Sequence, residues 1–430
     1  MAVDLIEVRL WGQTVGAVAL EPSAGCYVFE YDPAWRRMGI EIAPLTMPLR
    51  GRSARYLFPA LGRETFKGLP GALADALPDA FGNALIDAEM ARRGIDAAAI
   101  TTLDRLAYMG RRGMGALEFE PAQGSGATGA APLVLRELVE AARLVVSGHL
   151  HDRDAGDALR SIIQVGTSAG GARAKAVVAW HPDSNELRSG QFDAPDGFEH
   201  WLLKFDGVGK DLELGSGAHY GRIEYAYHRM AVAAGIDMAR CRLLEEGGRA
   251  HFMTRRFDRE GNTRHHMQTL CAMAHLDYNL REANAYEQLF QTADALELDD
   301  NARAQLFRRM AFNVMARNCD DHTKNFAFML APGGGWELAP AFDVTHAYNP
   351  RSEWVSQHLM SVNGAFDGVA RADLLAVADR FAVPGAAAAL EQVLAVVKDW
   401  RSYAGTAGVG SEGSAHVAAD IASMTAPLHD

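Results

Sequence analysis

A chain of 430 residues, 49% of them apolar and 22% charged, has enough hydrophobic surface for two or three cores and lacks the composition of a disordered segment. Its formal charge of −12 argues against an affinity built mainly on neutralising nucleic-acid phosphates, although Arg308, Arg309 and Arg317 cluster locally. The four cysteines (Cys26, Cys241, Cys271, Cys319) are scattered with no CxxC pair, and no basic leader or run of ~18 apolar residues is found, so a disulfide framework, a zinc site, secretion and a membrane span are not expected and a cytoplasmic protein is.

Residues 1 to about 60 alternate as strands do, in LIEVRLW, YVFEY and GIEIAPL. A helical stretch follows with Leu73, Leu77, Phe81, Leu85 and Ile86 at helical spacing; Pro78 divides it and Gly94 is a plausible stop. The small, polar segment 121–132 reads as a flexible linker. Beyond a helix in LRELVEAARLVVSG come a strand–turn–strand signal at 162–180, a strand over 200–205, a helix near 222–235 and a strand pair in 241–257. From about 265 the pattern is mostly helical, with one hairpin at 326–342. The expected fold is α+β, with the bilobal layout of protein kinases. An N-terminal α+β subdomain (1–120) and the linker precede a small β-rich lobe (133–257) and a larger helical lobe (258–430).

The sequence between a helix that ends near Asn318 and the strand FAFMLA carries Asp320, Asp321, His322, Thr323, Lys324 and Asn325. The turn Pro332-Gly333-Gly334-Gly335 and a strand WELAPAF ending at Asp343 come next. A hairpin centred on Gly334 sets Asn325 opposite Asp343 with Cβ atoms roughly 5 Å apart. A carboxylate and an amide oxygen so placed suit Mg²⁺ ions that also take phosphate oxygens of ATP. The D-x-x-x-x-N spacing from Asp320 to Asn325 is that of base and metal ligand in kinase catalytic loops. Asp320 would orient a substrate hydroxyl and accept its proton, and Lys324 would help neutralise the phosphoryl group. Any one of these residues alone reads as well as a helix terminator or a backbone partner.

In GTSAGGARAK the small residues Gly170, Gly171 and Ala172 let backbone N–H groups approach phosphates, although taken alone an ordinary hairpin turn is the better reading. Lys175 could reach those phosphates or be a solvated strand lysine. Lys204 interrupts the apolar strand HWLLKF, where a lysine seldom sits without a partner, and Glu224 on the next helix is the candidate. An edge-strand lysine is the plainer alternative.

With these residues in hand, the chain resembles the HipA family of bacterial toxin kinases over nearly its whole length. LADALPDAFGNALI is similar to the family's N-terminal-domain signature and TSAGGARAK to its Gly-rich loop. HWLLKF resembles its ATP-lysine strand, FMTRRFDR its hinge, DDHTKNF its catalytic loop and LAPAFDV its metal-binding strand. The resemblance implies Asp320 as catalytic base, Asn325 and Asp343 as Mg²⁺ ligands, and Ser168 as an inactivating autophosphorylation site. It implies ATP contacts from Gly170, Gly171, Ala172, Arg173, Ala174, Lys175, Lys204, Arg255, Arg256, Phe257, His322, Thr323, Lys324, Asn325, Phe342 and Asp343. It also implies a helix-turn-helix antitoxin of HipB type, operator DNA bound mainly through that antitoxin, and an aminoacyl-tRNA synthetase such as glutamyl-tRNA synthetase as protein substrate. The chain departs from the family at Ala174 and Arg255, each in place of an acidic residue, and at Met267-Gln268-Thr269 after the hinge. A non-catalytic nucleotide-binding subunit serving in operon repression, and a small-molecule phosphotransferase, are the competing readings.

Overall fold

The computed structural model describes residues 3–51, 53–123, 129–146, 162, 165, 174–208, 210–211, 215–216 and 220–425. The early alternation produces an antiparallel five-stranded sheet from Leu5–Leu10, Gln13–Glu21, Cys26–Tyr31, Arg55–Tyr56 and Leu117–Glu120, the last strand returning beside the first. Period-two geometry sends Ile6, Val8 and Leu10 into one core with Phe29 and Trp35. Pro78 separates two helices, Gly71–Ala74 and Ala80–Arg92, and Asp79 caps the second by accepting from Gly82 N at 2.6 Å.

A six-stranded antiparallel sheet follows, in the order Cys241–Glu246, Arg249–Arg255, Glu199–Lys204, Lys175–Trp180, Leu187–Ser189, Pro132–Leu133. The predicted linker therefore contributes its last residue to a strand. The core of this lobe joins Trp180, Trp201, Leu203 and Met253 to Leu138 and Val139 of the helix Leu135–Val146. It also takes Phe81, Leu85 and Ala88 from the helix Ala80–Arg92, so a boundary at 120 divides the two sheets without dividing the cores. The helix Tyr220–Ala233 lies close against the sheet because Gly221 has no side chain: a Cβ there would stand 2.0 Å from Ala250 O.

The remaining lobe is mainly helical, packed around Tyr227, Phe290, Phe307, Phe312, Leu390 and Trp400. It differs from the sequence reading in holding a three-stranded sheet, since His266–Thr269 pairs with the outer edge of Ala327–Leu330, whose other edge pairs with Trp336–Leu338 in the expected hairpin. His266 Nε2 lies 3.0 Å from Ile42 O and Trp336 Nε1 donates to Glu41 O at 3.0 Å, which joins this sheet to the N-terminal domain. Among the described residues no helix is long and apolar enough to cross a membrane.

The hairpin register differs from the one expected, in which Asn325 lay opposite Asp343 across the strands. Phe328 faces Leu338, Met329 faces Glu337 and Leu330 faces Trp336, which centres the hairpin on Gly333. The reason is the turn: Gly334 N bonds Ala331 O, with Pro332 second and Gly333 third at φ +75°, as a type II turn requires. The strands also end sooner than expected, at Ala327 and Leu338. Asn325 and Asp343 are therefore not cross-strand partners; Asn325 closes a 3₁₀ turn and Asp343 lies past the ladder at φ +55°.

Candidate active site

Two neighbouring strands each deliver one lysine to the same place. Lys175 and Lys204 face each other in the register of Lys175–Trp180 and Glu199–Lys204. Two like charges inside a sheet repel unless carboxylates surround them. Lys204 Nζ donates to Glu224 Oε1 at 2.6 Å and to Asp343 Oδ1. Lys175 Nζ lies 3.7 Å from Asp79 Oδ2, both side chains being 5% exposed. Burial works against the charge on Lys204, yet Asp343 and Glu224 raise its pKa above the ordinary lysine value. Burial likewise opposes ionisation of Asp343, but Lys204 and Lys175 hold its carboxyl well below the usual carboxylate range. Lys175 moves the other way: burial lowers its pKa, while Asp79 and Asp343 oppose the shift.

The catalytic-loop residues are organised from beneath. Asp321 is fully buried and accepts from Tyr286 Oη (2.8 Å), Leu359 N (2.8 Å) and His358 Nδ1 (2.8 Å). Burial works against a charged His358, yet Cys319 and Asp321 beside it raise its pKa well above the usual histidine value. Tyr286 in turn accepts from Asn313 Nδ2 at 2.9 Å, so the loop is fastened to the helix Asp300–Met315. Above this anchor Asp320 faces outward. Trp354 Nε1 donates to its Oδ1 at 2.8 Å and His322 Nε2 lies 3.6 Å from the same oxygen. Burial raises the Asp320 pKa, with Asp343 and Asp321 adding to the rise and His322 and Trp354 opposing it. Asn325 Nδ2 donates to Asp320 O at 2.7 Å, and Asn325 and Asp343 line one small pocket with Asp321.

Other expected site residues lie variously near and away from this group. Lys324 sits 4.9 Å over the Tyr278 ring and shares a pocket with Asp75. Phe257 and Phe342 meet with ring centroids 5.5 Å apart, bringing the hinge against the strand that leads to Asp343. Ala174 is buried and its carbonyl accepts from Phe205 N. Arg255 is exposed. The side chains of Arg256 and Thr323 are engaged elsewhere: Arg256 with Asp258 at 2.6 Å, and Thr323 with Leu276 O at 2.9 Å. Any nucleotide contact from these two positions is left to backbone groups. Ser168, Gly170, Gly171, Ala172 and Arg173 lie outside the described residues.

Sequence reasoning missed Asp79, Tyr286, Trp354 and His358. Each lies far along the chain from the residue it touches, and an aspartate after proline at a helix start signals only a cap.

Magnesium is implied by the family resemblance, and the donor set fits it. Asp343 is ionised, and the Asn325 amide uses its N–H side on the loop, which leaves its oxygen as the atom for a cation. Among the described residues no group of three or more His, Cys, Asp or Glu is arranged to hold a metal. A site of one carboxylate and one amide is instead of the kind that Mg²⁺ completes with water and substrate phosphates.

The family of the HipA-like C-terminal domain matches residues 167–400, and that of the HipA N-terminal domain matches residues 6–120. No curated protein matches the chain. Among solved structures, the Shewanella oneidensis MR-1 toxin–antitoxin complex of HipA, HipB and operator DNA is similar at 18% identity, with 98% of this chain and 95% of that chain covered and a TM-score of 0.67. The likeness establishes a fold shared with that HipA chain. The Helicobacter pylori proinflammatory kinase CtkA is similar at 10% identity over 54% of this chain and 88% of that one, with a TM-score of 0.36, too low to argue from.

Proposed function

We propose, from the premise that this chain belongs to the HipA family, that it is a Ser/Thr protein kinase, the toxin of a toxin–antitoxin pair, acting with Mg-ATP in the cytoplasm. The observation that carries this reading is Lys204 held between Glu224 and Asp343, with Asn325 tied to Asp320 on the same cleft wall as Asp343. A strand lysine paired with a helix glutamate is the arrangement that active kinases require.

In this reading Asp320 orients a serine or threonine hydroxyl and accepts its proton, and its raised pKa favours that acceptance. The Trp354 indole N–H holds one of its oxygens in place. Lys204 and Lys175 bind phosphate oxygens, aided by the small-residue loop at 170–174, and Lys324 stabilises the transferred group. The hinge at 255–257, with His322 and Phe342, receives the nucleoside. Asn325 and Asp343 would hold Mg²⁺, which when bound neutralises charge on the phosphates. A phosphate placed on Ser168 would add about −1.5 to −2 charge beside the loop and weaken ATP binding, a self-limiting switch. The Shewanella relative was solved with HipB and operator DNA, which supports a helix-turn-helix antitoxin as partner. An aminoacyl-tRNA synthetase, glutamyl-tRNA synthetase foremost, is the proposed protein substrate.

Incubation with Mg²⁺ and labelled ATP tests the reading. Label is expected on Ser168 and on the synthetase, and is expected to vanish in Asp320→Ala. ATP binding without transfer to either acceptor would replace the kinase by the second reading, a nucleotide-binding subunit of the repressor complex.

A further inference from the structure

The N-terminal domain reaches the phosphate end of the site through one short segment. Phe81, Leu85 and Ala88 of the helix Ala80–Arg92 belong to the same core as Trp201 and Leu203 of the Lys204 strand. That packing sets the start of the helix beside Lys175. Asp79, at the cap, divides its carboxylate between two tasks. Oδ1 accepts from Gly82 N at 2.6 Å and closes the helix end. Oδ2 lies 3.7 Å from Lys175 Nζ, buried and, among the described residues, without a hydrogen bond.

Buried acceptors are nearly always hydrogen-bonded, so an unbonded oxygen aimed at a buried ammonium calls for a reason. At 3.7 Å the pair attracts through charge, yet the ammonium hydrogens are not committed to Asp79. At that separation Asp79 does not hold them against an acceptor that arrives. Asp75, earlier in the same segment, does the related thing at the catalytic loop. It accepts from Thr269 N at 2.7 Å and Thr269 Oγ1 at 2.9 Å, and shares a small pocket with Lys324.

We infer that Asp79 is a positioning residue of the phosphate site, holding Lys175 in place by charge while leaving its hydrogens to ATP phosphate oxygens. The inference rests on the proposed function, in which Lys175 binds those phosphates. It makes the N-terminal domain a working part of the nucleotide site.

Asn caps a helix as well as Asp does but carries no charge, so Asp79→Asn separates the two tasks. The full chain is compared as wild type, Asp79→Asn, Lys175→Met and the double variant. Autophosphorylation rates against Mg-ATP concentration give an apparent KM and a maximal rate, and thermal melting reports stability. Asp79→Asn is expected to raise the KM for ATP about tenfold, the weight of one charge-assisted contact, with the maximal rate within about threefold; the melting temperature falls because buried Lys175 loses its carboxylate, and the double variant recovers that loss. If Asp79 acts through Lys175, the double variant is no worse than Lys175→Met alone. An unchanged KM in Asp79→Asn, or losses that multiply in the double variant, overturns the inference while wild-type transfer leaves the kinase reading standing. A wild-type chain that neither binds ATP nor transfers phosphate strikes the kinase reading and this inference together.

Discussion

The two ends of the candidate site handle positive charge in opposite ways. The hinge end is the more basic, with Arg256, Arg259 and Arg264 close together, yet its charges are closed on themselves. Asp258, fully buried, accepts from Arg256 (2.6 Å), Arg259 (2.8 Å) and Gly115 N (2.7 Å), and Arg264 lies 3.0 Å from Glu118. The phosphate end has two lysines among Asp79, Glu224 and Asp343, and there Asp79 Oδ2 stays without a hydrogen bond among the described residues. A saturated cluster is built for the fold, and an unsaturated one is built for something that arrives. Counting basic residues along the sequence would have picked the hinge end.

That contrast can be tested from both sides. The largest expected effect is at the phosphate end: Asp320→Asn should lower phosphotransfer by roughly 10²–10⁴-fold while leaving chemical denaturation unchanged. Retention of more than a tenth of wild-type activity would move the chemistry away from this loop. At the hinge end the loss should fall on stability instead. Asp258→Ala strands Arg256 in the interior and should reduce the unfolding free energy by roughly 3–5 kcal/mol in urea titrations. An equally stable variant would show the cluster to be less closed than its geometry.

Acid brings both ends into one measurement. Burial opposes ionisation of Asp258 and Asp343, but Arg256 and Arg259 at the first, and Lys204 and Lys175 at the second, outweigh it and lower both pKa values. Their stabilisation is therefore complete above the ordinary carboxylate pKa of about 4 and is lost as pH falls below it toward the lowered values. Asp258→Asn should flatten that acid limb in denaturation curves, and a limb of unaltered slope would assign it elsewhere. The smallest effect belongs to Arg255. Its exposed side chain makes Arg255→Ala nearly neutral, within about 0.5 kcal/mol by denaturation, and ATP affinity should change less than twofold. A larger loss of affinity would mean that the hinge reads the nucleotide through this side chain.

Much of the fold was legible because its signals are local. Pro78 and Gly94 marked the ends of helices, and Lys204 stood out as a charge inside an apolar strand. The hairpin was visible but its register was not, since three consecutive glycines offer three centres and only the φ of Gly333 chooses between them. The strand His266–Thr269 was hidden because its partners lie some sixty residues away along the chain. The site was legible where chemistry imposes short spacings, as from Asp320 to Asn325. It was illegible where distant residues meet, as do Asp79 and Lys175, or Trp354 and Asp320.

The sheet that carries the catalytic loop has its far side against the N-terminal domain. Trp336 and His266 bond to Glu41 and Ile42, and Cys271 belongs to the N-terminal core. One face of the helix Ala80–Arg92, with Phe81, Leu85 and Ala88, is buried in the small lobe. A gene fragment that begins after residue 120 would thus cut through two hydrophobic interiors, although the sequence around 121–132 invites the cut. Neither half is expected to fold as a cassette without its counterpart, and the chain is best expressed as one piece.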